Sequence, residues 1–179
     1  MKTEIISSGF GGQGALTVGK FIAKAAMKEG KHVSWLPSYG PEMRGGTANV
    51  SAVVSDKLIA SPIVSFPDIL VALNQPSIDK FGANIKENGL LIYNTDMCPK
   101  GSERTDIEII KAPMNKIAKE IGSEKVLNMI AIGMIIGCKK LIKFETIKED
   151  LTAFLVKKNP ELLEKNLEAI KKGMELAAK

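Results

Sequence analysis

The sequence predicts an α/β fold: a mostly parallel sheet interrupted by an inserted hairpin, with helices gathered towards the C-terminal end. Three observations predict it. Strand-like and helix-like segments alternate along the chain, the order that builds layered α/β architectures. Residues 69–73 and 90–93 are continuous apolar runs, as strands covered on both faces require. Residues 9–14, Gly-Phe-Gly-Gly-Gln-Gly, form a glycine turn that follows a short β-type run and opens an amphipathic helix.

Taken in order, the first strand covers residues 5–8, and the turn after it has the G-x-G-x-x-G spacing of Rossmann-like dinucleotide folds. In the helix that follows, Ala15, Val18, Ile22, Ala25 and Ala26 line one face and Lys20, Lys24 and Lys28 another. Gly30 closes it as a C′ residue. A second strand over 32–36 runs into Pro37 and Ser38. Ala48, Val50, Ala52 and Val54 alternate with their neighbours, and Ser55-Asp56-Lys57 reads as a turn before Leu58 and Ile59. That pattern predicts the hairpin inserted into the parallel order. A helix over 76–85 begins near its proline, and 107–110 is a further short strand. The helical part runs from about 113 to 179, in segments 113–121, 126–138 and 144–156, then a final helix with Asn159 as N-cap and Pro160 at its first position. Gly133 and Gly137, four apart on one helix face, permit close helix packing. Leu163, Leu167, Ile170 and Met174 form the apolar stripe of the last helix.

With 179 residues and 45 % hydrophobic content, the chain has enough apolar surface for one domain spanning 1–179. The net charge of +5 is spread over single lysines, and the aromatic residues are six Phe, two Tyr and one Trp. Neither a dense basic stripe nor stacking aromatics are present, which argues against nucleic-acid recognition. Cys98 and Cys138 are the only cysteines and His32 the only histidine. That excludes a self-contained iron–sulfur cluster or Cys₄ zinc site and makes a His-based triad a poor expectation. Cys98 reads as an inert loop thiol. No apolar h-region follows Met1, and the longest apolar stretch, 126–138, contains Asn128 and is too short to span a bilayer. The expectation is a cytoplasmic protein of a reducing compartment, without membrane contact.

Glycines at 9, 11 and 14 allow the backbone to turn tightly and approach a ligand, so that loop amides and the positive end of the helix face a phosphate. The bland alternative is a tight strand-to-helix joint that binds nothing. The acidic residue that holds an adenosine ribose about 20 residues further on is missing, which disfavours NAD. A second loop, Pro-Ser-Tyr-Gly-Pro-Glu-Met-Arg-Gly-Gly-Thr at 37–47, is expected at the carboxyl edge of the sheet beside the first. Arg44 is one of only two arginines, with Arg104, among 25 basic residues, and its planar fork suits a phosphate or carboxylate. A surface arginine on a rigid turn, or one paired with Glu42, is the alternative. For Tyr39 the alternative is packing in the core or an interface.

Together, GFGGQG (9–14), PSYGPEMRGGTANV (37–50), SPIV (61–64), PDILVALNQPSIDKF (67–81) and KNLEAIKKGMEL (165–176) resemble the γ subunits of 2-oxoacid:ferredoxin oxidoreductases, in order and over essentially the whole chain. The likeness is greatest to those of 2-oxoglutarate enzymes, with branched-chain γ subunits much alike. The resemblance implies oxidative decarboxylation of a 2-oxoacid with coenzyme A as acyl acceptor. It also implies thiamine diphosphate and iron–sulfur clusters on α, β and ferredoxin-like δ partner subunits, and ferredoxin as electron acceptor. This chain would then hold no catalytic residue and no metal, and would be inactive alone. The resemblance assigns Gly9, Gly11, Gly12, Gln13 and Gly14 to a coenzyme A phosphate. It assigns Ser38, Tyr39, Gly40, Glu42, Arg44, Gly45 and Gly46 to the rim of the same pocket or to an intersubunit contact, with Ser38, Tyr39 and Arg44 as cofactor-binding candidates. A γ subunit of a pyruvate enzyme, a stand-alone Rossmann-type nucleotide-binding enzyme and a noncatalytic scaffold subunit are the other readings.

Overall fold

The computed structural model describes residues 1–38 and 47–178. Its sheet has six strands: β1 (Lys2–Phe10), β2 (His32–Ser38), β3 (Thr47–Ser55), β4 (Ile69–Ala72), β5 (Leu90–Asn94) and β6 (Glu108–Ala112). They lie in the order β2-β3-β1-β4-β5-β6. The pairs β1–β4, β4–β5 and β5–β6 are parallel, whereas β3 is antiparallel to both β1 and β2. Only β3 therefore runs against the rest.

The inserted antiparallel element is present, but its partners differ from those expected. Residues 58–59 form no strand, and the segment from 56 to 68 is irregular. The physical reason is that both edges of β3 are already occupied. Nine register pairs join it to β1 and seven to β2, so a return strand has no ladder left to join. The turn at 55–57 is real, closed by Lys57 N–H donating to Ser55 Oγ at 3.0 Å.

Among the described residues six α-helices accompany the sheet: α1 (Ala15–Lys28), α2 (Gln75–Phe81), α3 (Met114–Ile121), α4 (Leu127–Lys139), α5 (Phe144–Leu155) and α6 (Pro160–Ala177). The alternation of β1 divides the core in two, since Ile5 belongs to the cluster under α1 and α3–α6 while Ile6 belongs to the cluster under α2. The α1 stripe of Ala15, Val18, Ile22, Ala25 and Ala26 is buried as the periodicity predicts. Gly30 has φ +80, and its N–H reaches Met27 O while Lys31 N–H reaches Ala26 O, the paired bonds of a Schellman stop. Asn74 caps α2 by accepting Ser77 N–H at 3.0 Å, and Asn159 caps α6 by accepting Leu162 N–H at 2.9 Å. The helix expected over 76–85 ends at Phe81 and continues as one 3₁₀ turn, Gly82–Asn84.

The most intimate packing is between α4 and α6. A Cβ on Gly133 would lie 2.0 Å from the Ile170 carbonyl oxygen, and one on Gly173 2.1 Å from that of Ile130. The two backbones touch, and only glycine fits. The close packing expected of Gly133 and Gly137 is there, with α6 as the partner.

An ion-pair cluster ties the opposite, amino-terminal edge of the parallel strands. Lys86 Nζ donates to Glu4 Oε2 at 2.7 Å and to Asp68 Oδ1 at 2.8 Å, and Lys2 Nζ reaches Glu4 Oε1 at 2.6 Å. Burial pushes the Glu4 carboxyl up most strongly of any single cause, but the bonds from Lys2 and Lys86 together hold it below its ordinary 4.5. Burial likewise opposes the charge on Lys86, and its bonds to Asp68 and Glu4 outweigh that and raise it above 10.5. A depressed carboxyl contributes stability above its unfolded value and loses it as pH falls through the folded one. A raised ammonium contributes below its unfolded value and loses it as pH rises through the folded one. The cluster thus supports the fold between about pH 4.5 and 10.5. Half-exposed pairs of this kind are worth about 0.2–1 kcal/mol each. Glu4→Gln is expected to flatten the fall in the urea midpoint below pH 4.5; curves that stay parallel to the unmodified chain would remove Glu4 from the acid limb.

Candidate functional site

β1 delivers the chain to the carboxyl edge of the sheet at Phe10, and the glycine turn follows at once. Gln13 N–H donates to Phe10 O at 3.1 Å, which closes the turn. Phe10 N–H donates to Gln13 Oε1 at 2.7 Å, and Gln13 Nε2 donates to Leu73 O at 3.2 Å. One end of the Gln13 amide therefore holds the end of β1 and the other braces the loop against Leu73, just after β4. Gln13 shapes the site from within. Gly9 makes room for this brace, because a Cβ there would lie 2.8 Å from Gln13 Oε1 and 2.9 Å from Leu73 Cβ.

Gly14 is the N-cap of α1 and has φ 83, a conformation that side chains disfavour. It caps without a side chain, and no acidic residue stands in the first turn. The N–H groups of Ala15, Leu16 and Thr17 are the ones that helix geometry leaves without an intrahelical acceptor. They sit at the positive end of a 14-residue helix, which makes an anion their natural complement.

Two depressions flank Gly12–Gly14. One, about 460 Å³, is bounded by Gly12, Gly14 and Thr17 on one side and by Asn115, Lys125 and Asn128 on the other. The second, about 280 Å³, lies against Phe10, Gly11, Leu16 and Ala48. A larger hollow of about 510 Å³ between charged side chains of α6, Glu164 to Glu175, is far less suited to a ligand. It has no buried polar group and no loop amides.

The five residues Gly9, Gly11, Gly12, Gln13 and Gly14 are thus brought together in one turn. Ser38 ends β2 in the register row Ser38–Asn49–Ser8, one row before Gly9. Thr47, where the second motif re-enters the sheet, pairs with Phe10. Both ends of that motif are consequently anchored beside the glycine turn. Tyr39, Gly40, Glu42, Arg44, Gly45 and Gly46 lie outside the described residues.

The missing ribose acid has a topological counterpart. β2 carries no acidic residue, and β3 stands between it and β1. The space beside the first strand, where a dinucleotide's second contact would come from, is taken by the start of β3. Among the described residues no group of three His, Cys, Asp or Glu side chains could hold a metal, and no helix is long and apolar enough to cross a membrane. Burial pushes the Cys98 thiol up to about 12 and the Cys138 thiol up to about 11, so neither is a thiolate at neutral pH.

Asn115, Lys125 and Asn128 were not legible as site residues in the sequence. The one signal was Asn128 as the lone strongly polar residue between 126 and 137. Asn94 orients Asn115, its Nδ2 donating to Asn115 Oδ1 at 2.6 Å while its Oδ1 accepts Met114 N–H at 3.0 Å.

Comparison with known proteins gives one family, described as pyruvate ferredoxin/flavodoxin oxidoreductase, which matches residues 4–176. The chain is similar to the ketoisovalerate oxidoreductase subunit VorA of Methanothermobacter marburgensis, 37 % identical over 96 % of this chain but only 36 % of that protein. It is also similar to the 2-oxoglutarate synthase subunit KorC of Methanocaldococcus jannaschii, 35 % identical over 99 % of this chain and 95 % of the relative. Among solved structures it resembles a keto/oxoacid ferredoxin oxidoreductase γ subunit from Geobacter sulfurreducens, with a TM-score of 0.82, 29 % identity and 98 % of each chain covered. It resembles equally a 2-oxoglutarate:ferredoxin oxidoreductase from Magnetococcus marinus with 2-oxoglutarate, coenzyme A and succinyl-CoA bound. There the TM-score is 0.89 and the identity 29 %, over 98 % of this chain and 31 % of the other. The chain spans about a third of the length of the VorA relatives it matches.

Proposed function

The chain belongs to the pyruvate ferredoxin/flavodoxin oxidoreductase family, and from that premise we propose that it works in the cytoplasm as the γ subunit of a 2-oxoacid:ferredoxin oxidoreductase acting on 2-oxoglutarate. In this reading it binds coenzyme A at the glycine turn and forms succinyl-CoA and CO₂ only as part of the complex. The observation that carries the reading is the end-to-end match with a 2-oxoglutarate synthase subunit, 99 % of this chain against 95 % of the relative. A γ subunit of a branched-chain enzyme is the second reading, favoured by the 37 % identity to VorA.

The residues present fit a coenzyme A phosphate. The first-turn N–H groups of α1 are open, no carboxylate stands in that turn, and a side chain at Gly14 would fill the space against Asn128. Ala15, Leu16 and Thr17 N–H would hold phosphate oxygens, and the Gln13 brace would keep the turn in shape while they do so. Coenzyme A supplies the thiol that takes the acyl group. Decarboxylation and electron transfer belong to thiamine diphosphate and iron–sulfur clusters on α, β and ferredoxin-like δ subunits, with ferredoxin as acceptor. We also take residues 1–179 as one domain, since α3–α6 share a single core with α1 and the sheet.

Anaerobic affinity isolation of the chain from its own cells tests this, with the eluate assayed for viologen reduction. Thiamine-binding and iron–sulfur partners should co-isolate, and reduction should require coenzyme A and run at least roughly tenfold faster with 2-oxoglutarate than with branched-chain 2-oxoacids, a margin of about 1.4 kcal/mol in the transition state. Isolation without partners, or activity indifferent to coenzyme A, would overturn the reading.

A further inference from the structure

We infer that Asn128 and Lys125, from the start of α4 and the turn before it, complete an anion site with the N-terminus of α1, and that the site takes the diphosphate of a phosphorylated ligand. The inference rests on the coenzyme A reading for the name of that ligand.

Asn128 is 8 % exposed, and its Oδ1 is fully buried without a hydrogen-bond partner. Burying an unpaired amide is costly, and such groups are kept where they serve something other than stability. Its Nδ2 would lie 2.7 Å from a Cβ built on Gly14, and the residue lines the 460 Å³ depression. An amide is thereby held against the helix N-terminus with the loop at its side. The residue borders the depression, and its side-chain amide carries two N–H groups able to donate to an oxygen lying there.

Lys125 supplies the charge. It lines the same depression, and among the described residues it makes no ion pair, whereas its neighbour Glu124 is engaged by Lys119 at 3.6 Å. Glu124 also borders the depression and is the one carboxylate that opposes an anion there. Its charge is partly offset by the pairing with Lys119. Asn115, fixed by Asn94, completes the rim. Main-chain N–H groups at a helix start, a side-chain amide and a mobile ammonium are a chemistry suited to two linked phosphates and poorly suited to a carboxylic acid alone.

The test uses the full chain, with inorganic pyrophosphate as probe, followed by amide NMR at low ionic strength. Pyrophosphate should shift the backbone amides of Gly12, Gly14, Ala15 and Thr17 and the side-chain amide of Asn128. Lys125→Gln should weaken binding about fivefold, the cost of one screened charge contact. Asn128→Leu should weaken it about tenfold, consistent with losing a hydrogen bond to a charged group. It should also raise the melting temperature, because an unpaired buried amide is replaced by an apolar group of similar size. No shift at these amides, or affinity in both variants equal to that of the unmodified chain, overturns the inference; a lowered melting temperature with unchanged affinity in Asn128→Leu does the same, assigning Asn128 to packing. Lys125→Gln, a surface change, keeps the test open if Asn128→Leu folds poorly. Measuring the coenzyme A KM of the assembled complex separates the two claims. Pyrophosphate binding that depends on both residues, in a complex indifferent to coenzyme A, sinks the proposed ligand and leaves the anion site standing. An ordinary coenzyme A KM, unmoved by either variant, sinks the anion site alone.

Discussion

Gly173→Val is expected to prevent stable folding, and Gly133→Ala to cost roughly 3 kcal/mol or more. At the α4–α6 crossing the atoms a Cβ would strike are the Ile170 and Ile130 carbonyl oxygens, at 2.0 and 2.1 Å. Backbone cannot rotate away as a side chain can, so the helices must separate. Ile130, Ala169 and Ile170, all fully buried, would separate with them and lose close contacts across the seam. Against a total stability of about 5–15 kcal/mol, a loss of 3 is a large share. Urea unfolding measures it. Gly82→Ala is the control, since Gly82 has φ −60 and its Cβ would meet only the Ile78 side chain, at 3.3 Å. If Gly133→Ala shifts the midpoint no more than Gly82→Ala, the two helix backbones do not meet at the crossing.

The second large effect falls on binding. Gly14→Val puts a β-branched side chain at φ 83, which costs about 1–2 kcal/mol. It also drives a Cβ to within 2.7 Å of Asn128 Nδ2 and 3.0 Å of Asn128 Cβ. The turn can relieve this only by rotating the amides that open α1 away from their common target. In the assembled complex the KM for coenzyme A should rise at least roughly a hundredfold, the loss of two charge-assisted hydrogen bonds, while the KM for the 2-oxoacid stays within about twofold. Equal changes in both constants would indicate general misfolding, and an unchanged coenzyme A KM would remove the glycine turn from the binding site.

Local chemistry was legible in the sequence where a signal and its structural partner lie close together. At Gly30 α1 stops through the Gly30 N–H bond to Met27 and the Lys31 N–H bond to Ala26, and Asn159 caps α6 through a bond three residues on. The continuous apolar runs of β4 and β5 are central strands, covered on both sides, as their composition requires. What escaped depends on distant residues. The partner of Gly133 is Gly173, 40 positions later, and no local pattern names it. β3 was recognised as an alternating strand, but nothing within 47–59 reveals that both its edges are taken by β1 and β2. Gln13 sits inside the glycine motif, and nothing in that spacing reveals that its side-chain amide bonds Phe10 and Leu73. Asn128 looked like a mere interruption of an apolar helix. Its position beside Gly14 depends on α3 and α4 folding back over the carboxyl edge of β1.

The double pairing of β3 also bears on how freely this protein can vary. In an ordinary hairpin the loop length sets the register, and one residue more or less turns every side chain of the return strand to the opposite face. Here β1 alone fixes the register through nine pairs, from Lys2–Ser55 to Phe10–Thr47, whatever joins β2 to β3. The register of β3 therefore does not depend on the length of residues 39–46. Changes of length and composition in that stretch leave Ala48, Val50, Ala52 and Val54 in their places. The register of β3 beside the glycine turn is thus held independently of the connection that precedes it, and that connection can change without rewriting the framework that carries the turn.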